Sequence, residues 1–161
     1  MPDGVVLALG ANLGDAATTL DEAVSALRRV PGLEVTAVSP VYRTAPIGGP
    51  EQPDYLNLVV VGVTTLTPED LLGATSAIEL DAGRTREVHW GPRTLDIDLI
   101  VVGDHRRDSD VLTLPHPRAH ERAFVLLPWL DVEPDAVLPG RGRVSTLAAV
   151  VADQRAERVA S

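Results

Sequence analysis

A chain of 161 residues with 45% hydrophobic content is long enough for one domain with its own core, and too apolar to be disordered. Its net charge of −9 argues against general nucleic-acid binding, which needs a basic face to neutralise phosphates. The absence of cysteine excludes disulfides, thiolate zinc sites and a cysteine nucleophile; the absence of lysine excludes a P-loop and Schiff-base chemistry.

A single domain over residues 1–161 is therefore expected. With no basic leader, and with the apolar run 5–9 too short for a signal core or a membrane span, a cytoplasmic location is expected. All 14 cations are arginine, and seven of them lie between Arg84 and Arg122. A local cationic patch on an acidic protein points to a small anionic ligand, and guanidinium forks suit phosphate. Arg28, Arg29, Arg155 and Arg158 read as ordinary surface.

The first predicted element is a central apolar strand over 5–10, followed by the Gly-rich turn 10–14, which lacks Rossmann spacing. Asp15 reads as an N-cap for a helix whose buried face is Leu20, Ala23, Val24 and Leu27, stopped by Pro31-Gly32. A second strand covers 33–42, with Pro40 marking an edge or a bulge. The Pro/Gly loop 44–54 has the length of a lid or binding loop. It runs into Tyr55 and Asn57, which share a strand face by the period of two.

The continuous apolar run 58–65 reads as a strand buried on both sides. Thr67-Pro68-Glu69-Asp70 starts a second helix, with Thr at the N-cap and Pro at N1. Leu71, Thr75, Ile78 and Ala82 form its buried stripe, Leu72 flanks it, and Gly83 ends it as C′. An arginine-rich loop follows, holding Arg84, Arg86, His89, Trp90 and Arg93.

The next strand, 95–102, carries two acids in an apolar run. Asp96 and Asp98 fall on one face, and Leu95, Ile97, Leu99 and Val101 on the other. The acids are roughly 6.6 Å apart at their bases. Their tips can converge on one divalent cation or hold two side by side; the competing reading is an exposed face with two solvated acids. Hard cations such as Mg2+ take carboxylates and complete their shell with water and phosphate.

Residues 104–110 read as a charged connector and 112–117 as an extended segment. Prolines on both sides of His116 disfavour a helical metal pair with His120, so His116 is expected to donate alone to an anion. Residues 118–127 lead from a polar turn into apolar packing, 134–143 form a loop and 145–158 a terminal helix. Tyr55, Trp90 and Phe124 suit flat pockets for a planar ligand, although Phe124 serves equally as core.

The order β-α-β-β-α-β plus a C-terminal extension is the ferredoxin-like pattern of the α+β class. It predicts a mostly antiparallel sheet with both helices on one face, leaving the other for a site where Tyr55, Asn57, Asp96 and Asp98 meet. A non-catalytic ferredoxin-like module that binds a small anion fits the same pattern, since fold does not fix function. A metal-dependent phosphohydrolase fits the acids but leaves the aromatics idle.

The chain resembles the 6-hydroxymethyl-7,8-dihydropterin pyrophosphokinase family of folate biosynthesis. The stretches that carry the resemblance are GANLGD at 10–15, SPVYRTAPIGG at 39–49, QPDYLN at 52–57, GRTR at 83–86, WGPRTLDIDLI at 90–100 and LTLPHPRAHERAFVL at 112–126. The resemblance implies transfer of the β,γ-diphosphate of ATP to the pterin hydroxymethyl group, with release of AMP. It implies two Mg2+ ions on Asp96 and Asp98, and catalytic phosphate contacts from Arg84 and Arg93. Around ATP it implies Leu72, Glu79, Arg86, Leu99, Thr113, His116 and Arg122, with Trp90 closing over the site. For the pterin pocket it implies Thr44, Ala45, Ile47, Tyr55, Asn57 and Phe124, with the two aromatics sandwiching the ring. Glu87 stands where several relatives have a basic residue. A monomer acting on small molecules alone, with no nucleic acid or membrane partner, is expected.

Overall fold

The N-terminal apolar run becomes β1 (Asp3–Ala11), whose pleat divides it between two cores. Val5, Leu7, Leu9 and Ala11 face one way, and Val6 and Ala8 the other. The computed structural model describes residues 2–11, 16–44, 55–84, 95–154 and 156–159; the expected turn at 10–14, the Asp15 cap and the loop 44–54 lie wholly or largely outside them. Helix α1 (Ala16–Arg28) buries Leu20, Ala23 and Leu27 as its periodicity requires, and Thr19 beside them. Strands β2 (Leu33–Val38) and β3 (Tyr42–Thr44) lead to β4 (Tyr55–Thr64). The helix α2 (Pro68–Arg84) and the strand β5 (Asp96–Val102) complete the βαββαβ unit.

A small hairpin, β6 (Arg107–Asp108) and β7 (Thr113–Leu114), comes next. The 3-10 turn Ala119–Glu121 then enters α3 (Ala123–Val132). A second hairpin, β8 (Val137–Leu138) and β9 (Gly142–Arg143), precedes α4 (Val144–Val150) and the last strand, β10 (Ala156–Arg158). The main sheet runs β10-β3-β4-β1-β5, with β2 also on β4, and every pairing is antiparallel. This is the expected ferredoxin-like arrangement, with α1 and α2 packed over the Val5, Leu7, Leu9 side. No helix among the described residues is long and apolar enough to cross a membrane.

Several expectations are corrected. The strand 33–42 divides at Ser39-Pro40, because proline has no N–H to give the ladder. Ser39 bridges the break: its N–H donates to Val59 O at 2.9 Å, and its Oγ accepts from Val59 N at 2.8 Å. The second sheet face is not left free. Trp129, Leu126, Val125 and Ala148, from α3 and α4, form a second core on Val6, Val59, Val61 and Ile100. Val101 joins this second core rather than the helix side, because Ile100 is an extra residue in β5: Val6 pairs Val101 but Leu7 pairs Leu99.

The segment 145–158 is not one helix; α4 ends at Val150, and residues 156–158 add a strand to the sheet edge. Helix α2 continues one residue past Gly83, so Gly83 is not its C′ residue. The connector 104–110 contains the first strand of one hairpin, whose second strand lies in the extended segment 112–117, and the loop 134–143 contains the other hairpin.

The expected start of α2 is present, since the Asp70 N–H donates to Thr67 Oγ1 at 3.1 Å. Gly62 is needed for close approach: a Cβ there would lie 2.3 Å from the carbonyl oxygen of Glu34. Gly62→Ala is expected to cost about 1–3 kcal/mol, read as a lower denaturant midpoint at unchanged slope.

Candidate active site

The site grows out of the strand register. Asn57 on β4 lies opposite Gly10 on β1, and Gly10 lies opposite Asp96 on β5. In the next row on the same face stand Val59, Ala8 and Asp98. Directly opposed residues share a face, so Asn57, Asp96 and Asp98 point the same way, as alternation predicts. On β3, Tyr42 opposes Asn57 and Thr44 opposes Tyr55, which extends this face one strand further, toward the β10 edge. The two β1 residues in these rows are small, so the floor between amide and acids stays low. A cavity of about 280 Å3 opens there, lined by Ala8, Leu9, Gly10, Thr44, Tyr55, Asn57, Asp96, Asp98, Arg122 and Phe124.

At one end the cavity is polar but fixed. Asn57, 5% exposed, donates from Nδ2 to Thr44 Oγ1 at 2.8 Å. A Cβ on Gly10 would sit 2.8 Å from Asn57 Oδ1, so the amide oxygen lies directly above the glycine. The roof comes from the start of α3, where the Arg122 guanidinium lies 5.5 Å from the centre of the Phe124 ring. Such a contact leaves the cation over an apolar surface and close to the two acids.

Two further groups fix the acidic end. The Ile97 N–H, between the two aspartates, donates to Glu79 Oε2 at 2.7 Å. Helix α2 thereby holds the outer edge of β5. His116 follows the β7 strand, and its N–H donates to Ile100 O at 2.9 Å, at the bulge of β5. Burial pushes the His116 pKa below the ordinary histidine value; Asp98 pulls it up, and Arg122 and Arg118 reinforce the depression. Its Nδ1 accepts the Arg118 backbone N–H at 3.1 Å, so the neutral ring carries its proton on Nε2 and can donate there.

Of the residues expected in the site, Thr44, Tyr55, Asn57, Asp96, Asp98, Arg122 and Phe124 line one cavity. Phe124 is thus a cavity wall as well as a neighbour of the second core. Leu99 is buried in the helix-side core, facing away from the cavity, with Leu72 half-buried against it. Neither these two side chains nor that of Thr113 on β7 lines the cavity. Leu99 can offer a ligand only its main chain, since its side chain is committed to packing. Ala45, Ile47, Arg86, Trp90 and Arg93 lie outside the described residues, as does the side chain of Arg84. Ala8, Leu9 and Gly10 also line the cavity and are not among the expected site residues. The available signal was a glycine at the end of an apolar strand, which marks a close approach.

Among the described residues no group of three or more His, Asp or Glu side chains is placed to hold a metal. The carboxylate pair Asp96 and Asp98 fits a hard cation that takes one or two protein oxygens and fills its shell with water and substrate phosphate.

The family model described as 7,8-dihydro-6-hydroxymethylpterin-pyrophosphokinase matches residues 6–134. A 2-amino-4-hydroxy-6-hydroxymethyldihydropteridine pyrophosphokinase of Pseudomonas aeruginosa is 44% identical over 146 residues, covering 90% of each chain. The Bacillus subtilis protein of the same name is 44% identical over 126 residues, 78% of this chain and 75% of that one. A crystal structure of Plasmodium falciparum HPPK-DHPS superposes with a TM-score of 0.72 at 15% identity. That match covers 93% of this chain, which spans 45% of the longer one, and it shows the fold. The identity over nearly the whole length, with the carboxylate pair and the cavity on one sheet face, leads to one conclusion: the chain belongs to the 7,8-dihydro-6-hydroxymethylpterin-pyrophosphokinase family.

Proposed function

We infer that the protein transfers the β,γ-diphosphate of ATP to the hydroxymethyl oxygen of 6-hydroxymethyl-7,8-dihydropterin, in folate biosynthesis. The observation that carries this reading is the row Asn57, Gly10, Asp96, which sets a flat amide-ended pocket beside two carboxylates. The hydroxyl oxygen attacks the β-phosphorus, the bond from that phosphorus to the α,β-bridging oxygen breaks, and AMP leaves with that oxygen. The hydroxyl proton passes to solvent.

Tyr55 and Phe124 hold the ring between them, while Asn57, oriented by Thr44, reads its edge. Asp96 and Asp98 would hold Mg2+, in our reading two ions, whose chemistry is to neutralise the triphosphate and acidify the hydroxyl. No side chain then needs to act as a base. His116 through Nε2 and Arg122 donate to phosphate oxygens, and Glu79 keeps β5 in register for the metal ligands. The resemblance adds Arg84, Arg86 and Arg93 as phosphate contacts, Trp90 as a closing group, and Ala45 and Ile47 as pocket walls. Leu72, Leu99 and Thr113 border the nucleotide in the same reading, which is of a cytoplasmic monomer. Nothing in the matches favours a non-catalytic anion-binding module, which would have no use for the carboxylate pair.

Phe124→Ala tests the pocket assignment. Stacking of a heterocycle on an aromatic contributes about 1–3 kcal/mol, so dihydropterin affinity is expected to fall about 10- to 100-fold. The affinity for an ATP analogue with Mg2+, measured by calorimetry on the same preparation, should stay near the wild-type value. Unchanged pterin affinity would remove Phe124 from the pocket.

A further inference from the structure

The C-terminal segment touches both walls of the substrate cavity. On the first wall, β10 pairs with β3 through Ala156 opposite Thr44, Glu157 opposite Arg43 and Arg158 opposite Tyr42. The Val159 N–H continues the ladder to Val41 O at 2.8 Å. Side chains reinforce it: Tyr42 donates its hydroxyl to Asp131 Oδ2, and Arg158 Nη2 donates to Asp131 Oδ1 at 2.7 Å. The Arg158 guanidinium lies 6.0 Å from the centre of the Tyr42 ring. Thr44, the partner that orients Asn57, is the last residue of this three-residue strand.

On the second wall, Gln154 bonds on either side of Arg122. Its Oε1 accepts the Ala123 N–H at 2.9 Å, and its Nε2 donates to Glu121 O at 2.6 Å. One exposed amide thus fixes the turn from which Arg122 and Phe124 enter the cavity. The segment lies beyond residue 134, where the family match ends.

We propose that Gln154 and residues 156–159 form a strap that sets the width of the pterin pocket, with Gln154 a positioning residue for Arg122 and Phe124 and Arg158 a positioning residue for the Thr44–Asn57 wall. The physical basis is preorganisation. A stacked ligand needs its two faces held at one spacing, and walls that relax must be ordered again on binding. The 3-10 turn Ala119–Glu121 has no side-chain cap of its own, and β3 is too short to hold its position by one ladder.

The proposal rests on the pyrophosphokinase reading, and its test separates the two. Gln154→Met keeps the length of the side chain and removes both hydrogen bonds. In the full chain with Mg2+ and a non-hydrolysable ATP analogue, dihydropterin Kd is expected to rise about tenfold, the scale of one or two lost hydrogen bonds. At saturating pterin and ATP, the loss in kcat should be smaller than the rise in pterin KM, because Gln154 touches no reacting atom and reaches the phosphates only through Arg122. Arg158→Met, at a residue 58% exposed and therefore tolerant of change, should raise pterin KM in the same direction. Arg158→Lys should restore part of it, by keeping a cation beside Asp131. Pterin affinity unchanged in both Gln154→Met and Arg158→Met, with wild-type protein binding normally, would overturn the strap alone. Failure of the wild-type protein to bind dihydropterin would overturn the functional reading, and the strap with it. Loss of folding in Gln154→Met leaves the decision to the Arg158 pair.

Discussion

Asp98→Ala is expected to lower the rate of diphosphate transfer by about 10^3-fold, some 4 kcal/mol of transition-state stabilisation. Asp98 sits beside Ala8 on the open part of the second sheet face, half-exposed and lining the cavity. Its main chain stays paired with β1 whatever the side chain. The loss therefore falls on the site and not on the fold, and the melting midpoint should move little. The size of the effect follows from charge: with one carboxylate gone, a cation held by the pair would lose one of its two protein carboxylates and much of its hold, and with it the charge it would supply to the triphosphate. Asp98→Asn should recover little, since an amide oxygen brings no net charge. The measurement is single-turnover AMP formation at saturating ATP and pterin. A rate within tenfold of wild type would remove Asp98 from the chemistry.

The second large effect is expected at a residue with no side chain. Gly10→Ala would place a methyl group 2.8 Å from Asn57 Oδ1. Asn57 cannot simply swing away, because it is buried and its Nδ2 is bound to Thr44 Oγ1. Moving it breaks that bond or leaves a buried polar atom unpaired, at about 1–3 kcal/mol. The methyl group also rises into the floor of the cavity. Dihydropterin KM is expected to rise about 10- to 100-fold, with ATP KM nearly constant. Equal loss for both substrates would mean that the pocket above Gly10 does not belong to the pterin.

These two positions also show what the sequence could reveal. Asp96 and Asp98 on one face follow from the period of two alone, and that Asn57 joins them follows from the fold pattern; the register agrees with both. The start of α2 at Thr67 was legible because a hydroxyl one residue before proline has a local use as a cap. Gly10 was not legible as a site residue, since its role depends on Asn57, which lies 47 positions later and meets it only through strand pairing.

The bulge at Ile100 escaped for a related reason. In Leu99-Ile100-Val101-Val102 every residue is apolar, so the pattern reads the same with or without an extra residue, and Val101 was placed on the wrong face. Residues 156–158 fall inside the terminal helix expected over 145–158, and Ala, Glu and Arg do not oppose one. They become a strand because β3 offers an open edge, a tertiary effect that propensity cannot register. The same nonlocal pairing hides the contacts of Gln154 and Arg158.

The most direct test of the function is a nucleotide balance. Purified protein is given ATP, Mg2+ and 6-hydroxymethyl-7,8-dihydropterin, and AMP, ADP and free phosphate are resolved with time. AMP formed in equal amount to the diphosphorylated pterin, and only when both pterin and metal are present, is the predicted result. ADP, or phosphate released without pterin, would contradict it.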